Sequence, residues 1–191
     1  MIKSLFFGMC LLVAFSSTVS AQHVNIGVKG GLNFYDINSN TGGNTDYKAG
    51  FNLGLLGHIH LTGNFGLQPE IYYSLQGAKS GNTNINLGYM NIPVLVQYMF
   101  NNGFRLQAGP QLGFLLSAKS KTSGANTDIK DNYKTIEVGL SFGGSYVHPP
   151  TGFGVDLRFN RGLTNISDIN NVTATNQGIQ LGVFYLFNHR S

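Results

Sequence analysis

Apolar and polar residues alternate one by one along most of this chain. The run 103–119 shows the pattern best. Phe104, Leu106, Ala108, Pro110, Leu112, Phe114, Leu116 and Ala118 form one set. Arg105, Gln107, Gly109, Gln111, Gly113, Leu115, Ser117 and Lys119 form the other. Successive side chains of a strand point to opposite faces, so this spacing predicts a strand with one apolar face. A helix would scatter the same residues around its circumference. The run exceeds the roughly 5–6 residues of an average strand. It suffices for a tilted strand to cross a bilayer, which takes about 9–11.

The pattern recurs, giving eight predicted strands at 24–34, 47–61, 65–77, 85–100, 103–119, 133–147, 153–163 and 177–187. Both sides of the fourth carry apolar residues; Met90, Ile92, Val94, Val96, Tyr98 and Phe100 are read as its outward set. Polar loops are expected at 36–46, 78–84, 120–132 and 164–176, with tight turns at 62–64, 101–103 and 148–152 between them. Connections that alternate long and short, with an even strand number, are the ordering of an outer-membrane barrel. That ordering places both termini in the periplasm.

No run of about 18 apolar residues follows residue 21, so no transmembrane helix is predicted. Lipid cannot satisfy backbone N–H and C=O groups, and only a closed sheet leaves no edge. The expected fold is therefore all-β: an eight-stranded antiparallel up-and-down transmembrane β-barrel. A secreted β-sandwich is the soluble alternative, and it has no reason to keep the alternation of connections.

The first 21 residues read as a cleaved signal peptide. Lys3 supplies a positive start, 5–15 an apolar run, and Val19-Ser20-Ala21 a small-residue cleavage site. The barrel domain is then 22–191, and Cys10, the single cysteine, leaves with the signal. A mature chain without cysteine has no disulfide and no thiol chemistry.

Composition agrees with a membrane barrel. Charged residues are 10% of the 191, against about 25% in soluble domains. Glycine, at 26 residues, is about twice as common as usual. Loss of Lys3 takes the formal charge from +4 to +3, and no basic cluster accompanies it, which speaks against nucleic acid as a partner.

The charges sit where a barrel would put them. Lys29, Glu70, Arg105, Glu137, Asp156 and Arg158, three cations and three anions, all fall on polar faces. An unpaired charge inside a narrow barrel is costly, so one connected interior network is expected. Arg161 instead falls on an outward face near a loop. It either snorkels to headgroups or is turned inward by a bulge. Pro69, Pro93 and Pro110 lie within three successive strands. Since proline removes a ladder hydrogen bond, they are read as bulges that bend the wall.

Several segments resemble the PorT-type outer-membrane β-barrel family. They are 65–79, from Phe65 through Gln68-Pro69-Glu70 to Lys79, then Asn91-Ile92-Pro93-Val94-Leu95, Gln107 to Gln111 with Leu116 to Lys119, and Gly162 to Ile166. The resemblance covers essentially the whole mature chain. It implies a small eight-stranded barrel of the OmpA or OmpX kind in a Gram-negative outer membrane, some of whose relatives serve protein secretion. Where that pattern has an apolar residue, this chain has Arg161. The last strand, 180–187, is similar to the C-terminal signal read by the barrel-assembly machinery, with Gln180, Gly182, Tyr185 and Phe187 as its residues. Tyr185 and Phe187 also suit an interfacial aromatic girdle.

Chemistry beyond this is sparse. His58 and His60 point to the interior two residues apart and could ligate a metal, but no third ligand is evident, so they are read as lumen lining. Ser74, Ser117 and Ser141 are conceivable nucleophiles and His148 a conceivable base, yet no spacing joins them. Gly27 to Gly31 precedes no helix, so it is no phosphate loop. Asn165 and Asn171 match glycosylation acceptors by chance in a bacterial envelope.

The expectation is a protein without cofactor, metal site or enzymatic activity. Its partners would be outer-membrane lipid, the assembly machinery during biogenesis, and a protein engaged through the loops. The alternatives are a narrow channel or small-ligand barrel and, behind them, a lipid-modifying enzyme.

Overall fold

The computed structural model describes residues 24–41 and 46–187. The segment expected to be a signal peptide, residues 1–21, and the tail after Phe187 lie outside these residues. Eight long strands make the wall: β1 (Val24–Ser39), β2 (Asp46–His60), β3 (Phe65–Ser80), β4 (Thr83–Met99), β5 (Phe104–Thr122), β7 (Ile136–Val147), β8 (Phe153–Gly162) and β9 (Ala174–Leu186). A short β6 (Ala125–Asp128) and a single 3-10 turn, Lys130–Asn132, belong to the connection between β5 and β7. Each wall strand pairs antiparallel with its neighbour in sequence, apart from the interposed β6. β1 also pairs with β9, from Gly27 opposite Leu186 to Ser39 opposite Ala174, which closes the barrel.

Alternation holds around the wall. Leu53, Leu106 and Leu157 stand on the outside, more than half exposed, at 64%, 59% and 54%. Their chain neighbours Asn52, Arg105 and Arg158 are buried inside. Such an outer surface would be a severe liability in water, and in lipid it is the expected face. The assignment made for the fourth strand holds: Val94, Val96 and Tyr98 are exposed while Asn91, Leu95 and Gln97 are buried. An aromatic belt rings the end that carries the tight turns. Phe65 packs on Tyr98 at 5.3 Å, Tyr98 on Phe100 at 5.0 Å, and Phe104 on Tyr146 at 5.3 Å. Phe153 faces Tyr185 at 6.4 Å, and Tyr185 packs on Phe187 at 5.4 Å.

Two expectations are corrected. The connection 78–84 is no long loop: Ser80 pairs with Thr83, leaving a two-residue turn in which Gly81 takes φ +54°. A positive φ at the first turn position matches the twist of a hairpin, and glycine adopts it without cost. The strands on either side simply continue above the wall, as does β5, whose tip turns at Ser123 and Gly124 into β6. The alternation of long and short connections therefore fails at this one place.

The three prolines are not bulges. The β3–β4 register is unchanged from Pro69 opposite Val94 to Tyr72 opposite Asn91. β4–β5 likewise keeps step from Pro93 opposite Gln111 to Val96 opposite Ala108. Each proline interrupts pairing for a residue or two without inserting one, because only the missing N–H has to be tolerated. True register shifts occur elsewhere, between Tyr47 and Asn52 in β2–β3 and between Gly88 and Tyr89 in β4–β5.

Candidate functional site

The candidate site is the barrel interior with its two mouths. At mid-height four charges meet. Lys29 on β1 places Nζ 3.0 Å from Glu70 Oε2 and 3.3 Å from Asp156 Oδ2. Arg158 on β8 donates from Nη1 to Glu70 Oε2 at 2.8 Å and from Nη2 to Glu70 Oε1 at 2.6 Å. Its Nη2 also donates to Asp156 Oδ2 at 2.7 Å. Two cations and two anions cancel, and all four side chains are essentially inaccessible. Lys29 also lies 5.0 Å above the Tyr72 ring, a favourable place for an ammonium.

Amides and hydroxyls extend the cluster to the rest of the wall. Gln68 donates to Glu70 Oε1 at 2.6 Å, and Gln97 donates to both Gln68 and Gln107 at 2.8 Å. Tyr72 donates to Gln111 at 3.0 Å, and Asn160 donates to the Tyr35 hydroxyl at 2.9 Å. Asn52 on β2 donates to Asn33 on β1 at 2.8 Å, and Asn160 on β8 donates to Gln180 on β9 at 3.4 Å. Ser141 Oγ is shared between Gln111 Oε1 and Asn160 Oδ1, at 3.0 and 2.5 Å.

The expected network of six charges thus forms with four. Arg105 and Glu137 lie at other levels of the barrel and do not join it. Glu137, on β7 toward the loop end, accepts from Asn176 Nδ2 at 3.0 Å. Arg105, on β5 at the turn end, holds Nη1 3.4 Å from His58 Nδ1. Strand faces can be read from sequence, whereas height along the barrel depends on register and tilt. Arg161 keeps its outward parity, with no bulge between Gly139–Gly162 and Tyr146–Val155, and it donates across the ladder to Gln177 Oε1 on β9.

Apolar plugs above and below the polar layer were not anticipated. At the loop end Ile37, Ala78, Leu87, Tyr89, Leu115, Ala118, Ile166 and Ala174 cluster, with Ile129 and Tyr133 packed against them. At the turn end Leu56, Val147, Phe184 and Leu186 do the same. A signal was available in the sequence: Leu56, Leu87, Leu115 and Phe184 are large apolar residues on the otherwise polar face, near strand ends.

The long connections are fastened over the upper plug. Tyr133 and Ser167 form a β-bridge, Lys134 N donates to Ile166 O at 2.8 Å, and Asp168 N donates to Asn132 O at 2.9 Å. Thr173 N donates to Asn40 Oδ1 at 2.9 Å, which ties in the first loop. Burial there pushes the Tyr133 hydroxyl pKa up.

Of the remaining candidates, His58 is fully buried and its ring meets that of His60 edge-on, centroids 4.5 Å apart. Among the described residues, no group of three or more His, Cys, Asp or Glu is placed to hold a metal ion. Ser74 accepts from Asn33 at 2.8 Å and Ser141 is held by amides, while His148 is exposed at the far turn, so these do not assemble as a catalytic set. In the last strand, Gln180 and Gly182 face the interior, while Tyr185 and Phe187 belong to the outer aromatic belt.

A closed antiparallel wall, greasy outside and polar within, defines a small transmembrane β-barrel. The outer membrane protein beta-barrel domain family matches residues 18–168, and the chain belongs to that family and to the outer membrane. Among solved structures it is similar to neisserial surface protein A, with a TM-score of 0.62 and 15% identity over 86% of this chain and 99% of that one. It is also similar to Ail, the attachment invasion locus protein of Yersinia pestis, with a TM-score of 0.48 and 16% identity over 84% of this chain and 98% of that one. No curated protein matches the chain.

Proposed function

We propose that this chain is a non-conducting, non-enzymatic outer-membrane barrel that works by presenting its loop-end surface to a protein partner. The observation that carries the reading is the filled interior. A charge-balanced polar layer between two apolar plugs suits neither solute passage nor a reaction centre. What is left to act is the loop end, where the two longest connections are fastened together by the Tyr133–Ser167 bridge. Connections held in place over a rigid barrel are a common location for binding residues. In this reading the protein is exported through residues 1–21, is inserted by the barrel-assembly machinery, and keeps its termini in the periplasm. Its resemblance to PorT-type segments supports a role in envelope biogenesis or protein secretion.

Site-specific photo-cross-linking in intact cells tests this. Probes at Lys130 and Asn170 should give a discrete protein adduct, and a probe at the Asn101 turn should give none. Adducts confined to Asn101 would contradict the proposal.

One observation favours a small-ligand barrel instead: a cavity of about 260 Å³ at the loop mouth, lined by Ile37, Ile85, Tyr133, Ile169 and Val172 among others. A hydrophobic ligand seated there would quench Tyr133 fluorescence saturably. Unchanged fluorescence would remove this reading.

A further inference from the structure

The geometry points to an oxyanion-binding site at the turn-end mouth, in which the Arg105 guanidinium takes a carboxylate or phosphate group. Arg105 is 5% exposed, and its one side-chain partner among the described residues is His58 Nδ1 at 3.4 Å. The interior carboxylates are committed elsewhere: Glu70 and Asp156 to Lys29 and Arg158, and Glu137 lies toward the other end. Beside Arg105 is a cavity of about 250 Å³ lined by His60, Gly63, Asn101, Gly103 and Pro149. Val147 contributes both to this cavity and to the lower apolar plug. The cation therefore sits between a greasy layer and an opening to the aqueous side.

Among the described residues no carboxylate is paired with this cation, and a desolvated cation left so is costly. A guanidinium offers five N–H donors in a planar fork that matches carboxylate and phosphate. His58 Nδ1 faces the guanidinium, and an acceptor there uses at most one donor. The remaining donors can reach the cavity side. A volume of this size admits a single anionic group on a small or slender molecule. The group could come from a soluble anion or from a lipid headgroup at the rim.

The test uses the mature barrel in nanodiscs, read by the Nε–Hε resonances of its arginines. In zwitterionic nanodiscs, inorganic phosphate or acetate is titrated against chloride at equal ionic strength. A second arm replaces the lipid with phosphatidylglycerol and omits phosphate. The expected result is a saturable shift of the Arg105 resonance in one or both arms, while Arg158 stays still. The Arg105→Gln variant should weaken binding at least about tenfold, as judged by the remaining chemical shifts. The wild-type readout stands alone if that variant does not fold. An Arg105 resonance that no anion moves beyond chloride, or shifts confined to Arg161 and Arg190, would overturn the site.

Discussion

Glu70 and Arg158 meet as a two-pronged pair across the middle of the barrel, at 2.6 and 2.8 Å, although they are 88 residues apart in sequence. β3 and β8, which carry them, are four steps apart round the closed ring, so the pair spans its diameter. Asp156 and Lys29 complete the balance. Removing one member leaves uncompensated charge in a buried place. The Arg158→Met variant should lose about 3–5 kcal/mol of stability, measured by urea unfolding in lipid vesicles. The Glu70→Met/Arg158→Met double variant should lose less than the sum of the two single changes. Strict additivity would show that the pair is not coupled.

The two faces of β5 make a second contrast. Leu112 faces lipid, 43% exposed, between Ile92 and Val138 on the flanking strands. Leu112→Arg should cost roughly 2–4 kcal/mol if the site lies near the bilayer midplane and should block insertion. Gln111→Arg, one residue earlier, points a cation inward and should be milder. It is not harmless, because Gln111 Oε1 accepts from both Tyr72 and Ser141. Folding yields into vesicles, compared with yields in detergent, check the face assignment; equal yields for Leu112→Arg would refute it.

Gly182 separates a lumen role from an assembly role. A Cβ built there would collide with Asp156 Oδ1. The glycine is therefore required for a close approach of β9 to the charge cluster. Gly182→Ala should destabilise the purified, refolded protein in the absence of any assembly machinery. Normal stability in vitro together with poor assembly in cells would instead assign Gly182 to the C-terminal signal alone.

Fold class and inward or outward facing were legible in the sequence because both follow from a period of two. Leu53 against Asn52, or Leu157 against Arg158, needs no tertiary knowledge. What the period cannot supply is height along the barrel. That is why Arg105 and Glu137 could be placed inside but not separated from the quartet. Pro69, Pro93 and Pro110 misled for a related reason: a lost N–H can interrupt a ladder without shifting it, and only the paired register distinguishes the two. The segment 78–84 was read as a loop from its polar composition, yet strands that rise above the apolar band have no need of apolar faces. The plugs were not legible for the same reason: a period of two turns Leu56 and Leu115 inward but does not give the heights at which they gather with Phe184 and Leu87.

Electrical recording in planar bilayers is the most direct test of the account, which rests on a closed wall whose interior is filled at three levels. The purified barrel should insert without producing resolved open steps at any moderate voltage. Stable, long-lived open steps from the wild-type protein would contradict it.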